Sequence, residues 1–222
     1  MKRLLLIPLL AGLIILPLLA QETDEAEKKE ESTDTEQASG SMYHEKTLED
    51  FETTTYTEKN LRFRVTRDQK AGLTMRDQFP APLEDSKKYL GLKMYGRLGD
   101  VLAIIPEKEI IIEKYCKSIS MWVYGKRFSG QLSIILQDAD KTNHRLILGT
   151  LDYLGWRKLT VSLPSDITQQ DNFLNQKEFL KIIQIQYRPG NQTRLPKWQY
   201  FYIDDITAVV REKYTDRQSD DW

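Results

Sequence analysis

The chain is poor in the residues on which most enzymatic chemistry depends. Its 222 residues include one cysteine, Cys116, and two histidines, His44 and His144. A lone thiol excludes an intramolecular disulfide. Neither histidine nor a second cysteine lies near it in sequence to activate it, and the Ile110-Ile111-Ile112 run just before it predicts a buried, structural role. Two histidines so far apart provide no His-pair motif for zinc. No Gly-x-Ser-x-Gly elbow, phosphate-binding loop or dinucleotide fingerprint occurs. Carboxylates are plentiful, but no acid is matched with a recognisable base, so no glycosidase pair stands out. The expectation is a protein without enzymatic activity. Charge of one sign is lacking as well: the net charge is −1, and nothing resembles the basic footprint of a nucleic-acid binder.

Long apolar runs are confined to the first twenty residues. Lys2 and Arg3 precede an apolar stretch from Leu4 to Leu19, interrupted by Pro8, Gly12 and Pro17 and followed by Ala20. This predicts a secretory signal peptide over residues 1–20, since the run is short and its prolines disfavour a spanning helix. The exported protein is then expected to have no membrane segment. Residues 21–46 carry nine Asp/Glu against three Lys, with little to bury, and read as an acidic disordered tether. Residues 47–210 suit one domain with a substantial core, followed by a polar tail over 211–222.

Within that domain the apolar period is two. Leu61, Phe63 and Val65 alternate with Arg62 and Arg64; Ile119, Met121 and Val123 alternate with Ser120, Trp122 and Tyr124; Leu132, Ile134 and Leu136 alternate with Ser133, Ile135 and Gln137. Similar runs cover 89–95, 101–105, 110–112, 146–148, 157–163 and 182–187, while 171–180 suits a helical turn or two. Turn chemistry separates the runs at 97–100, 128–130, 138–141 and 188–191. The pattern predicts an all-β fold, an antiparallel β-sandwich or jelly roll of about ten strands.

The final strand poses the sharpest question. In Tyr200-Phe201-Tyr202-Ile203-Asp204-Asp205-Ile206, two like charges sit side by side in a segment that is otherwise strand-forming. One answer is structural calcium, with Glu52 from a first acidic strand joining Asp204 and Asp205. The other is a β-bulge: Phe201 and Ile203 share one parity, whereas Ile206, Ala208 and Val210 share the opposite one, and an extra residue would turn both sets inward. Parity favours the bulge. It also puts Trp198, Tyr200 and Tyr202 on the other side, as an outward ridge to which Trp122 and Tyr124 add, unless a loop covers them. Such rings suit a sugar or a protein partner. Trp156, after Gly155 at a strand start, reads as a core anchor. Asn191-Gln192-Thr193 fits a glycosylation acceptor, and Arg62, Arg64 and Arg67 form a basic stripe.

In order, the segments Leu48-Glu49-Asp50-Phe51-Glu52, Trp122-Val123-Tyr124-Gly125, Gly155-Trp156-Arg157 and Ile203-Asp204-Asp205-Ile206 resemble the spirochaete flagellar filament outer-layer (sheath) proteins, the FlaA family. They are also similar to galactose-binding-like jelly rolls of carbohydrate-binding modules. The first resemblance implies a periplasmic, non-enzymatic subunit laid around the flagellin core filament beside other sheath proteins, setting stiffness or curvature for motility. Flagellin glycans are then candidate ligands of Trp198, Tyr200 and Tyr202. The second resemblance leaves a free periplasmic carbohydrate-binding module as the alternative.

Overall fold

The computed structural model describes residues 42–64, 70–169 and 179–213. They lie within a single unit, Gly40–Trp222. In chain order the strands are β1 (His44–Glu49), β2 (Leu61–Arg64), β3 (Lys70–Arg76), β4 (Tyr89–Gly96), β5 (Val101–Ile104), β6 (Ile110–Ile112), β7 (Tyr115–Lys126), β8 (Gln131–Gln137), β9 (Asn143–Thr150), β10 (Leu154–Ser162), β11 (Leu180–Arg188) and β12 (Lys197–Arg211). The expected all-β sandwich is present, with twelve strands among the described residues rather than about ten. The signal peptide, Val65, Arg67, residues 171–178 and the tail beyond residue 213 fall outside the described residues.

Two antiparallel sheets face each other. The first has the order β10-β7-β12-β4-β3, with β1 added along the carboxyl half of β12; the second runs β2-β5-β11-β8-β9, with β6 added to β11. Period-two alternation decides which side chains enter the core. Ile119, Met121 and Val123 from β7 meet Leu132, Ile134 and Leu136 from β8, all fully buried. Cys116 is buried with them, and desolvation pushes its thiol pKa up to about 12. A thiol so far from its ordinary range stays protonated and inert at neutral pH.

Two boundaries differ from the sequence reading. β1 begins at His44, so residues 44–46 are strand and not tether; their polar side chains give no apolar signal, but their backbone pairs with β12 from Val210 inward. β1 also ends at Glu49, which leaves Asp50 and Glu52 in the following loop and not in a first strand. The strand β3 had no sequence counterpart. Its inward residues are Ala71, Leu73 and Met75, spaced by Gly72 and Thr74, and its pairing to β4 supplies the order that its composition does not.

Candidate functional site: an aromatic face bracketed by cations

β12 crosses the middle of the first sheet and sets its geometry. Up to Ile203 it alternates regularly, with Phe201 and Ile203 buried and Trp198 and Tyr200 exposed at 39% and 37%. Its pairing to β7 then slips by one residue between Asp204 and Ile206, and Asp205 takes a φ of 38°. Asp205 is the extra residue of a β-bulge, after which Ile206, Ala208 and Val210 turn inward and are buried. The parity argument holds: one strand feeds the core on both sides of the slip.

The bulge leaves Asp204 on the outer face, opposite Trp122. It is nevertheless fully buried, because the loop over residues 77–88 lies across it. Its Oδ2 accepts hydrogen bonds from the Ser86 hydroxyl at 2.6 Å and the Ala81 N–H at 3.3 Å, and its Oδ1 accepts one from the Asp205 N–H at 2.9 Å. Glu52 holds the same loop from the other side: its Oε1 accepts the N–H groups of Lys87 and Lys88 at 2.5 and 2.8 Å. Glu52, Asp204 and Asp205 line one depression with Asp50 and Asp85. Among the described residues, however, no three acidic, His or Cys side chains converge on a point that could hold a metal. Both Asp204 oxygens and Glu52 Oε1 are directed at backbone and hydroxyl donors and not at a shared point, so these residues do not fit the calcium site weighed from sequence. The acids clasp a loop.

That clasp makes a pH prediction. Burial, opposed by the hydrogen bonds from Ser86, Ala81 and Asp205, raises the Asp204 pKa from 3.8 to about 6. Between those values the folded protein holds a proton that the unfolded chain has released. The contribution of this group to stability is therefore full below pH 3.8 and is lost as pH rises through about 6. Asp204→Asn cannot titrate. The melting temperature of the wild type relative to this variant should fall between pH 4 and pH 7, and a flat difference across that range would show that the carboxyl is not titrating as described.

Beside the clasped loop, the outer face is aromatic. Tyr89, Trp156, Tyr124 and Tyr202 form a closed ring of four edge-to-face contacts, with centroids 5.5 to 5.6 Å apart. Edge-on packing sets the positive rim of each ring against the negative face of the next. Two of the rings also anchor the loop: the Trp156 indole N–H donates to the Phe79 carbonyl at 3.2 Å, and the Tyr89 hydroxyl donates to the Gln78 carbonyl. Further along β12, Trp198 and Tyr200 are stacked at 6.3 Å and 27°, with Tyr95 at 5.5 Å from Trp198. Cations ride over these rings. Lys93 lies 5.7 Å from Trp198, Lys126 lies 5.7 and 5.3 Å from Tyr200 and Tyr202, and Arg76 lies 5.7 Å from Tyr202. Gly72 and Gly91, lacking side chains, open a trough of about 330 Å³ beside Tyr200 and Tyr202.

Of the residues expected on the ridge, Trp198, Tyr200, Tyr202 and Tyr124 come together. Trp122 shares their side of the sheet but is half-buried, with its indole nitrogen shielded from solvent. Trp156 is not a core anchor. Its register opposite Tyr124 puts it on the outer face, while Leu159 on the opposite parity is buried. Tyr89, Tyr95, Arg76, Lys93 and Lys126 were not singled out from sequence. The parity of Lys93 and Tyr95 on β4 was readable, but which face it served was not.

The family of flagellar filament outer layer proteins, FlaA, matches residues 110–219. That segment, just under half of the chain, is of the FlaA family. The FlaA match takes in β6 through β12, hence Tyr124, Trp156, Trp198, Tyr200 and Tyr202 of the aromatic face; β3 and β4 lie before it. A "Putative flagellar filament outer layer-like protein" of Brachyspira hyodysenteriae is 26% identical over 143 residues, covering 62% of this chain and 65% of the relative. The chain thus spans just under two thirds of that relative's length. Among solved structures, a family 11 carbohydrate-binding module of a Clostridium thermocellum cellulase is similar with a TM-score of 0.47 and 11% identity, over 78% of this chain and 98% of the module. A second structure of a family 11 module from that organism, in complex with a β-1,3-1,4-mixed-linked tetrasaccharide, has a TM-score of 0.47 and 12% identity, over 77% of this chain and 98% of that one.

Proposed function

We propose that this chain is a structural subunit of the periplasmic flagellar filament outer layer, and that the aromatic face of its first sheet is the surface by which it holds the filament. The FlaA match supports the place. The observation that carries the surface is the stacked Trp198–Tyr200 pair, left exposed and flanked by Lys93 and Lys126. Trp and Tyr are enriched at interface centres, and the flanking lysines suit the charged rim around such a centre. In this reading the chain has no enzymatic activity, and it works by packing against the flagellin core and neighbouring outer-layer proteins so as to set filament stiffness or curvature. Flagellin glycans are the finer version of the contact, because sugar rings stack on such faces.

The variant Trp198→Ala/Tyr200→Ala/Tyr202→Ala tests this directly. The three rings are on the solvent side, so the fold should survive, as circular dichroism would check. Retention on purified periplasmic flagella should fall at least about tenfold, since loss of one interface anchor alone is worth about that factor. Undiminished retention of the folded variant would sink the assignment of this face. A free carbohydrate-binding module, the second reading, predicts instead that the wild type stays in the soluble periplasmic fraction and is held on a polysaccharide resin.

A further inference from the structure

The turns at 97–100, 128–130 and 188–191 converge at one end of the second sheet, around a depression of about 400 Å³. Two guanidinium groups, Arg145 on β9 and Arg188 at the end of β11, border it together with Ser129, Gln131, Thr150 and Asn191. Neutral acceptors orient Arg145: its Nε donates to the Ser133 hydroxyl at 3.2 Å and an Nη to Gln131 Oε1 at 2.5 Å. Neither arginine has an ion-pair partner among the described residues. The one carboxylate at the rim, Asp100, is buried and accepts the Arg97 N–H at 2.8 Å. Desolvation first, and then the like charge of Arg188, hold the Arg145 pKa below its ordinary range. Two like charges in one depression are a standing electrostatic cost that a bound anion would relieve.

The walls are pre-formed. The Leu98 N–H donates to the Thr193 carbonyl at 2.7 Å, the Thr193 N–H to the Gly190 carbonyl at 2.9 Å, and the Leu151 N–H to the Gly130 carbonyl at 2.8 Å. Little ordering entropy is then spent on binding. The lining is mixed in a specific way. Two cations suit a carboxylate, four neutral hydroxyl and amide groups suit hydroxyls, and the apolar surfaces of Leu98 and Val101 suit the C–H side of a ring.

We propose that this depression binds an acidic sugar, its carboxylate gripped by Arg145 and Arg188 and its hydroxyls by Ser129, Gln131, Thr150 and Asn191. The site lies on the second sheet and is separate from the aromatic face of the first, so it stands or falls independently of the filament-binding assignment. Isotope-labelled full chain titrated with glucuronate, glucose and acetate tests it by NMR. Glucuronate should shift the amide resonances of Gly99, Gly190 and Asn191, and Arg188→Gln should weaken that binding roughly tenfold or more, as expected for loss of a charged hydrogen bond. Arg145→Gln should do the same. If it perturbs the sheet, the exposed Arg188 variant alone decides. Glucose shifting the same resonances equally would overturn the role of the arginines. Acetate binding as tightly as glucuronate would leave only a carboxylate contact, such as an acidic side chain of a protein makes, and overturn the sugar. No shift with glucuronate would overturn the site altogether.

Discussion

Replacing Glu49 with Ala should destabilise the domain by about 3–5 kcal/mol, because three donors lose their acceptor in a place that water cannot reach. Glu49 ends β1 and is only 6% exposed. Its Oε1 accepts the Phe51 N–H at 2.9 Å and the Thr54 hydroxyl at 2.8 Å, and its Oε2 accepts the Tyr56 hydroxyl at 3.2 Å. The carboxylate thereby folds the chain back on itself over eight residues, 49–56. It supports Phe51, which is completely buried, sits at a φ of 58° that only local hydrogen bonding makes tolerable, and packs on Tyr56 at 5.3 Å. Burial, and next the charge of Glu49, push the Tyr56 phenol well above its ordinary pKa, so it remains a donor throughout the physiological range. Urea unfolding followed by tryptophan fluorescence reads the loss as a lower midpoint at an unchanged slope. Glu49→Gln should lose less, since its amide oxygen still accepts and the Tyr56 hydroxyl can rotate to accept from the new NH₂. Asp50→Ala is the contrast. Among the described residues its carboxylate accepts only the exposed Glu52 N–H at 3.0 Å, and its removal should cost about 0.5 kcal/mol or less. Equal losses for Glu49→Ala and Asp50→Ala would refute the buried-acceptor account.

That pair also marks where the sequence was legible and where it was not. Alternation in β7 and β8 placed Ile119, Met121, Val123, Leu132, Ile134 and Leu136 in the core, because a period of two is a local property that each strand carries in itself. The same property exposed the slip at Asp204–Asp205 and with it the outward side of Trp198 and Tyr200. What could not be read locally is what a distant segment does to a residue. Asp204 looked like a ligand or a bend. Its burial comes from Ala81 and Ser86, more than a hundred residues upstream. Glu52 joined it in sequence reasoning as a metal donor, and the structure joins them through the loop they both clasp. Trp156 was misassigned for a different reason: its ring was read by size and by the preceding glycine, although Leu159, Val161 and Leu163 on the opposite parity already turned it outward, as the register against Tyr124 shows. The acidic residues at 48–52 were rightly noticed and wrongly grouped, because neighbours in sequence face buried donors, solvent and a loop in turn.

Two turn glycines that look alike in sequence should respond very differently to alanine. Gly99 and Gly190 each sit in a short polar turn at the same end of the sandwich. Gly99 has a φ of 96° with nothing within 4 Å of where a Cβ would stand, so Gly99→Ala meets only backbone strain, about 1–2 kcal/mol. At Gly190 the obstacle is contact. A Cβ there would lie 1.7 Å from the Ser129 carbonyl oxygen and 2.5 Å from its carbon, and a backbone group has no rotamer into which to retreat. The 188–191 turn would have to lift off the 128–130 turn, loosening the Thr193–Gly190 and Leu98–Thr193 hydrogen bonds that join it to its neighbours. Just beneath, the buried Tyr187 hydroxyl donates to Gln199 at 2.7 Å, and the Gln199 amide donates to the Gly96 carbonyl at 3.1 Å. Displacement of the turns would strain that chain too, where an unmade bond carries its full desolvation penalty. Gly190→Ala should therefore lose about 3 kcal/mol or more, at or beyond the upper end for overpacking. Denaturant midpoints of the two variants, measured side by side, decide the matter: an equal or larger loss at Gly99 would mean that these turns are held by backbone conformation and not by the packing of one against another.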